Sequence, residues 1–482
     1  MITITRSLVR QLRSVFRRAG FGRRLGAGPG SGQPVRFVAD ATGLRIQCRS
    51  LAAAVEYHQS GEFSAESFAV PFEALADCAG VRDDAVTLSL QPDHQIEIGW
   101  TDRGLPQSKR FADCADDVRG AWPTTPESWT AAESRAVAAL RDAMQTAARD
   151  RGRYAIDCVQ LRGSTGQIVA TDACQLLMQE GFSWPWSGDV LIPRTRILEA
   201  PELTNPSTID IANCDFHVAL RIGPWTVWLA IDNDAPYPSV EHVIPALDGA
   251  TTRFRITADE APRLAEALDR LPAVDEDSSP VTVDCNGQLV IRAKSTDQPR
   301  TTELVLPRAE VTGSPLRFNT NRRFLQRAIT LGFHEVHITD AAKPLLCQDD
   351  RRKYVWQTLT PEDALPPTED CLRIELPTPP AAAQNRSGSK GHSTGNKQLA
   401  TRNQTASNRT TPVVPSRRNR HVRPSASQPT DPETEVRSVR ASLRQALVDT
   451  RRLLAALRHE RRQNRVVRST LASLRQLQAK AS

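Results

Sequence analysis

The sequence of 482 residues is poor in aromatic side chains, lacks a long apolar run and lacks a closely spaced cysteine pair. Its longest apolar stretches, such as 52–55 and 227–231, fall far short of the roughly 20 residues that a membrane-spanning helix needs. Aromatics make up 5% and hydrophobic residues 39%, and glycine and proline are present in ordinary numbers. This composition excludes a membrane helix bundle, a collagen-like chain and full-length disorder, and the length predicts about three domains.

The nine cysteines are widely scattered, with no C-x-x-C spacing. An odd number at such spacing argues against a disulfide framework and against a zinc site. We therefore expect reduced thiols in a cytoplasmic protein without a metal or another cofactor. Residues 1–24 contain arginine and serine but no acidic residue, so a mitochondrial transit peptide is an alternative. The same residues also fit a strand and a helix of a first domain.

Charge is distributed unevenly along the chain. Residues 376–482 contain 21 Lys and Arg against 5 Asp and Glu, a net charge of +16. Residues 1–375 contain 41 basic and 50 acidic residues, a net charge of −9. A basic tail on an acidic body favours a polyanionic partner for the tail, and any contact between the body and DNA must be local.

A repeat of about 120 residues occupies most of the chain. Each copy begins with an amphipathic helix and a strand–glycine–strand hairpin, and the hairpin glycines Gly43, Gly166 and Gly287 are 123 and 121 residues apart. A strand, a second helix and further alternating strands follow; the second helices are predicted at 72–78, 194–203 and 322–331. The fold class is α+β, with two helices packed on antiparallel sheet in each of three domains. We place these domains at 1–123, 128–247 and 250–362.

The tail has two predicted parts. Residues 370–432 are rich in Ser, Thr, Asn, Gln, Gly and Pro with scattered arginine, and too few large apolar residues are present to bury a core, so we expect a disordered basic linker. Residues 433–478 regain an apolar stripe at helical spacing and predict a basic amphipathic helix.

Catalytic signals are weak. The glycine-rich stretch 26–32 is not placed between a strand and a helix, and no Gly-Lys-Ser/Thr follows it, so it is interpreted as a turn. The paired carboxylates fall at predicted strand ends and turns, where aspartate is common for conformational reasons. The histidines have no metal-ligand spacing. We expect a protein that is not an enzyme.

Basic residues concentrate on the predicted helices, although the body as a whole is acidic. The first helix carries Arg6, Arg10, Arg13, Arg17 and Arg18. Such a surface suits the phosphate backbone of a duplex. A solvated helix face with acidic neighbours is the alternative, and the sequence alone weighs the two about equally.

Five motifs in order resemble the bacterial sliding clamp, the beta subunit of DNA polymerase III. They lie at 153–172 (ending in Val-Ala-Thr-Asp), 190–194 (Val-Leu-Ile-Pro-Arg), 237–245 (Tyr-Pro-Ser-Val-Glu-His-Val-Ile-Pro), 321–325 (Asn-Arg-Arg-Phe-Leu) and 343–346 (Lys-Pro-Leu-Leu). The resemblance covers the three repeats and leaves the tail outside.

The resemblance implies a head-to-tail homodimer that closes into a ring of six domains around double-stranded DNA. Such a ring confers processivity by tethering the replicative polymerase, and it binds polymerase and clamp-loader subunits through short peptide motifs. It acts at the nucleoid and needs no membrane. The alternatives are a divergent clamp paralogue or a clamp-fold DNA-binding scaffold that acts through its basic tail, and, third, an enzyme such as a nuclease.

The resemblance also implies two sets of site residues. Family pore positions carry over to Arg24, Arg153 and Arg194 as predicted DNA-binding residues. Arg10 and Arg196 are added to this set because they lie on the predicted pore-side helices, without a motif match. The predicted peptide pocket comprises Ile156, Thr171, Leu176, Pro238, Val243, Asn321, Phe324 and Val355. This chain departs from the family pattern at 173–176 (Ala-Cys-Gln-Leu) and 357–361 (Gln-Thr-Leu-Thr-Pro), so a different or more weakly bound peptide is expected. The alternative for the pocket residues is an inter-domain core.

Overall fold

The computed structural model of the protein describes residues 1–21, 33–115, 121–204, 206–214, 216–273 and 279–376. Arg24, the predicted linker from 377 onward and the predicted tail helix lie outside the described residues. The first residues of that linker are described, and Cys371–Glu375 forms a strand there and not the disordered segment that the sequence predicts. Within the described residues, one strand-and-helix arrangement occurs three times, as the hairpin glycines predict. We call the copies the first, second and third repeat.

The first repeat begins with a short strand that leads directly into a long helix. Thr5 caps the helix, its Oγ1 accepting a hydrogen bond from the amide of Leu8 at 3.1 Å, and Arg17 and Arg18 lie in the last turn, where cations favour the helix dipole. Its elements are β1 (Ile2–Thr5), α1 (Arg6–Arg18), β2 (Val35–Asp40), β3 (Gly43–Arg49), β4 (Ala53–Ser60), β5 (Glu66–Val70), α2 (Ala74–Cys78), β6 (Ala85–Leu90), β7 (Gln95–Asp102) and β8 (Leu105–Ala112).

The second repeat lacks a second α-helix. The predicted helix 194–203 is two 3-10 turns, Ile197–Glu199 and Pro201–Leu203, because Pro201 cannot continue an α-helical turn that precedes it. The prediction of two helices in every domain is wrong here. The elements are β9 (Thr130–Ala131), α3 (Ala136–Thr146), β10 (Cys158–Arg162), β11 (Gln167–Thr171), β12 (Gln175–Gln179), β13 (Asp189–Pro193), β14 (Ile209–Cys214), β15 (His217–Ile222) and β16 (Trp225–Ala230).

The third repeat follows the same order, with two additional strands. Its elements are β17 (Thr252–Arg255), α4 (Ala261–Arg270), β18 (Pro280–Asn286), β19 (Gln288–Ala293), β20 (Thr301–Leu306), β21 (Glu310–Gly313), β22 (Arg317–Asn321), α5 (Arg322–Thr330), β23 (Glu335–Ile338), β24 (Leu345–Gln348), β25 (Arg352–Trp356) and β26 (Cys371–Glu375). Of these, β21 and β26 have no counterpart in the other repeats.

Each repeat contributes two sheets, and strands at sheet edges join neighbouring repeats. The first repeat has the antiparallel sheets β5-β2-β3-β4 and β1-β6-β7-β8, and the second follows the same four-stranded plan. In the third repeat, β21 adds an antiparallel strand to one sheet and β26 adds a parallel strand to the other. Strand β4 pairs with β16, and β12 pairs with β25, both antiparallel, so the sheets continue across both boundaries between repeats. The α+β class with sheet-rich repeats is therefore confirmed, while the domain boundaries in sequence stay predictions.

The core lies between the sheets and the helices. On α1 the buried face is Leu8, Val9, Leu12, Val15 and Phe16, and it shares one apolar core with the sheets of the first two repeats. The third repeat has a core of its own, which includes Leu264, Leu325 and Trp356. Burial of these amphipathic faces stabilises helices that would be marginal alone.

The hairpin glycines supply a first prediction. Gly166 has φ +60°, and a Cβ there would lie 2.0 Å from the carbonyl oxygen of Phe182, whereas Gly287 has φ +76° and nothing within 4 Å. We expect Gly166→Ala to lower the free energy of unfolding by about 2–4 kcal/mol, since backbone must move, and Gly287→Ala by only about 1 kcal/mol for the left-handed conformation. Urea denaturation of both variants measures this; equal losses would contradict it.

Candidate nucleic-acid interface and partner pocket

The helices form one continuous row that crosses the boundaries between repeats. Helix α1 contacts α2 on one side and the 3-10 turn Ile197–Glu199 on the other, and α3 contacts the same turn. Ser14 on α1 donates to Glu202 at 3.2 Å, and Arg327 on α5 donates to Gln145 on α3 at 2.7 Å. Helix α4 then packs on α5. All three repeats therefore contribute to one helical surface.

Helix α1 carries five arginines and no acidic residue. Arg10, Arg13 and Arg17 are spaced i, i+3 and i+7, which places them on one face opposite the buried side chains. Among the described residues none of the three makes an ion pair. We call Arg10, Arg13 and Arg17 the arginine stripe; its charges face solvent without neutralisation.

A second basic group, the arginine cluster, consists of Arg149, Arg194 and Arg196. Burial, together with the nearby charges of Arg149 and Arg196, lowers the pKa of Arg194, while Glu199 opposes this effect. The Nε of Arg194 donates to the carbonyl oxygen of Met144 at 2.8 Å, and Arg196 pairs with Glu199 at 2.8 Å. Mutual repulsion of the three guanidinium groups would be relieved by an anion.

The predicted DNA-binding residues therefore fall into separate groups. Arg194 and Arg196 come together, and Arg10 lies on the stripe. Arg153 is exposed, with its guanidinium 5.6 Å from the centre of the Tyr154 ring. The prediction omitted Arg13, Arg17 and Arg149; helical spacing identifies the first two, whereas the approach of Arg149 to Arg194 is purely tertiary.

Arginines of the third repeat are used internally instead. Arg322 is buried and donates to the carbonyl oxygens of Leu268 at 3.0 Å and Pro272 at 2.6 Å. Arg327 binds Asp142 of the second repeat, whereas Arg270 is paired with Glu266 at the exposed surface. The unpaired positive charge of the helical row is therefore concentrated on the first two repeats.

A small cavity of about 110 Å³ lies where the second and third repeats join through β12 and β25. We call it the junction cavity. An apolar cavity of about 150 Å³ accommodates benzene, so this volume suits one small apolar side chain. Its lining residues are Thr171, Ala173, Cys174, Gln175, Leu176, Val243, Pro344, Val355, Trp356 and Gln357.

The cavity unites half of the predicted pocket residues. Thr171, Leu176, Val243 and Val355 line it. Ile156 and Pro238, in contrast, are half-buried outside its lining.

The two residues predicted from α5 also lie outside that lining. Asn321 caps α5, its Oδ1 accepting from the amide of Arg323 at 2.9 Å, and Phe324 packs on the third-repeat core. The sequence analysis missed Pro344 and Trp356, which reach the cavity only because β12 and β25 pair.

An ion pair fixes the chain that brings Val243 to the cavity. Arg162 on β10 donates to Glu241 at 2.6 Å, and Glu241 begins the 3-10 turn that contains Val243. Burial favours a raised pKa for Glu241, but backbone hydrogen bonding and Arg162 outweigh it and lower the pKa to about 2.

The acidic groups noted in the sequence have structural partners where they are described. Asp232 and Asp234 bind Arg151, Asp349 binds Arg352, and Asp83 accepts from Ser7. Within the described ranges, no group of three or more His, Cys, Asp or Glu side chains is arranged to hold a metal ion. Over the same residues, no helix has the length and apolar character to cross a membrane.

Comparison of the coordinates with solved structures identifies the architecture. The sliding clamp (DNA polymerase III subunit beta) of Pseudomonas aeruginosa bound to griselimycin superimposes with a TM-score of 0.60 at 21% identity, over 74% of this chain and 99% of that chain. The chain has the sliding-clamp fold. A putative beta subunit from Eubacterium rectale gives a TM-score of 0.60 at 13% identity, and the Bacillus subtilis sliding clamp 0.59 at 15%, each over 74% of this chain. No family model and no curated protein sequence matches.

The sliding-clamp fold relates the features above to one another. The predicted fold class and resemblance are confirmed at the level of architecture. The match extends over nearly the whole of the Pseudomonas aeruginosa clamp, and about a quarter of this chain lies outside it. Identities of 13–21% relate the folds and do not assign roles to the side chains of the helical row and the junction cavity.

The Glu241 ion pair yields a pH-dependent prediction. The folded-state pKa of about 2 lies below the ordinary value of 4.5, so the pair contributes stability above about pH 4.5 and loses it as the pH falls towards 2. The stability difference between wild type and Glu241→Gln should therefore be largest at neutral pH and shrink in acid, although exposure of Glu241 keeps it small. Urea unfolding at several pH values measures this. Glu62→Gln, at an exposed carboxylate, is the control; an unchanged difference at pH 3 contradicts the assignment.

Proposed function

We propose that the protein is a DNA sliding clamp that encircles duplex DNA and tethers a polymerase to it. The proposal depends on one observation: a chain of sliding-clamp fold presents unpaired arginines on its continuous row of helices. The body as a whole, these arginines included, carries a net charge of −9, so its other surfaces are acidic and repel DNA. A locally basic helical surface on an acidic body favours DNA binding at that surface.

Ring closure follows from the threefold repetition of the sheets. The first junction joins β4 to β16, and the second joins β12 to β25. In both cases the edge strand of one repeat's first sheet pairs with the edge strand of the second sheet in the next repeat. Two equivalent edge strands are not used at these junctions, namely β20 of the third repeat and β8 of the first. A second copy of the chain supplies the missing partner for each, so two chains close a head-to-tail ring.

DNA contacts in this proposal go to phosphates and do not read sequence. The arginine stripe and the arginine cluster provide charge without a rigid binding groove, and Arg153 is exposed nearby in sequence. Contacts of this kind hold a duplex without fixing its register, which permits sliding. Arg24, predicted to join them, lies outside the described residues and stays a prediction.

The junction cavity is the proposed site for partner peptides. Its volume admits one small apolar side chain, and the neighbouring chain 241–243 is exposed for further contacts. Polymerase and loader subunits would insert such a side chain into the junction cavity, against the side chains of the paired strands β12 and β25. We further propose that the protein is a non-catalytic processivity factor that acts in the cytoplasm at the nucleoid.

Topological retention on DNA is the main test. We expect the protein to stay bound to circular plasmid in high salt, where phosphate contacts are screened, and to leave after the plasmid is linearised. Gel filtration of the plasmid before and after restriction digestion measures this. Equal release from circular and linear plasmid contradicts encirclement.

A triple variant tests the arginine stripe. Replacing Arg10, Arg13 and Arg17 by alanine should weaken duplex binding at 0.15 M salt by about 10- to 100-fold and reduce the salt slope of log K by up to about 3, because three phosphate contacts are lost. Fluorescence anisotropy over a salt series measures both quantities. The control replaces Arg45, Arg221 and Arg253, which sit on strands and pair with carboxylates. Equal losses in both triple variants contradict the assignment of the stripe.

A further inference from the structure

The edge of the third repeat that ring closure needs is already occupied by the chain itself. Strand β26 runs parallel to β20, with Thr301 opposite Cys371 and Val305 opposite Glu375. The amide of Leu376 donates to the carbonyl oxygen of Val305 at 2.9 Å. All six residues of β20 are buried. The strand has no counterpart in the other two repeats, where β4 and β12 pair with a neighbouring repeat.

The complementary edge is open. Strand β8 pairs with β7 on one side, and on the other it has no neighbouring strand among the described residues. Seven of its eight residues are exposed. An edge strand of this length with free backbone groups is a template for another strand. The two ring-closing edges therefore differ: β8 is free and β20 is covered.

Several features of β26 allow another strand to displace it from the edge of β20. It is five residues long and parallel to β20, whereas both junctions between repeats are antiparallel, the somewhat more stable arrangement. Leu372 and Ile374 remain 53% and 43% exposed, so little apolar surface is buried by the strand itself. Its firmest attachment is Leu376, buried in the third-repeat core.

The charges at the edge of β20 are compatible with either β26 or β8 as the neighbouring strand. Glu303 on β20 binds Arg292 at 2.5 Å and receives Arg373 of β26 at 3.6 Å. Strand β8 also carries basic residues, Lys109 and Arg110. An incoming β8 is therefore able to replace the cation that β26 provides.

We propose that β26 is an intrachain latch that competes with β8 of a second copy for the edge of β20. This inference depends on the proposed ring. A latched chain cannot close the ring, so the apparent dissociation constant of the dimer rises as the fraction of unlatched chains falls. Ring closure is then controlled by whatever draws residues 371–376 away from β20.

A disulfide that locks the latch tests the competition in one direction. Thr301→Cys places a thiol directly across from the native Cys371, and neighbouring strands lie close enough for a disulfide. Thr302→Cys is the matched control, because Leu372 rather than a cysteine lies opposite. We expect oxidised Thr301→Cys to stay monomeric at protein concentrations where its reduced form and the control dimerise.

A proline substitution that releases the latch tests the other direction. The amide of Leu376 points towards β20, and amides two residues apart on a strand point to the same side, so the amide of Ile374 also points towards β20. Ile374→Pro therefore removes a hydrogen bond between β26 and β20. Glu375→Pro is the control, since its amide points away from β20 and its side chain makes no ion pair among the described residues. We expect Ile374→Pro to lower the dimer dissociation constant by at least about tenfold relative to both wild type and the control.

Sedimentation velocity of the full-length chain over a concentration series distinguishes the outcomes. Dimerisation that is strengthened by Ile374→Pro and abolished by the oxidised lock supports the latch. If all variants dimerise equally, the ring proposal stands and the latch proposal is wrong. If no variant dimerises at any concentration, the ring proposal fails and the latch fails with it.

Discussion

The pairing of sheet edges between repeats is the constraint on which the rest of this structure depends. Each repeat ends in strands whose backbone groups need a partner, and β4–β16 and β12–β25 supply it within one chain. These junctions bring the helices of successive repeats side by side and create the cavity between the second and third repeats. The helical row and the candidate pocket are therefore products of the same edge pairing.

The arginines of the helical row divide into two classes that the sequence does not distinguish. Arg322 and Arg327 satisfy carbonyl oxygens and a carboxylate inside the protein, where burial lowers the pKa of each but leaves the guanidinium charged and hydrogen-bonded. The arginine stripe on α1 has no such partners among the described residues. Arginines on the helical row therefore stabilise the interior in the third repeat, whereas those of the stripe in the first repeat form the surface that we propose for DNA.

The segment after the third repeat connects the fold with the question of assembly. In the proposed ring, the edge of β20 pairs with the edge of β8 from a second copy. Here residues 371–376 reach one of those edges first, and the basic tail follows directly after them. Detaching β26 from β20 costs less free energy than opening a buried core, because β26 is short, parallel to β20 and largely exposed.

The sequence by itself determined the repeat, its glycine turns and the amphipathic helices, since these depend on local periodicity and on φ values that only glycine adopts readily. It also placed Thr171, Leu176, Val243 and Val355 in one pocket through a resemblance. It failed at Pro201, where a helix became 3-10 turns, and at β4, β8, β12, β20 and β26, which it did not recognise as strands. Among these, β8 is exposed on both faces and has no apolar alternation. Which edges pair, which arginines stay unpaired and what covers β20 were decided only by tertiary structure, because strand pairing joins residues far apart in the chain.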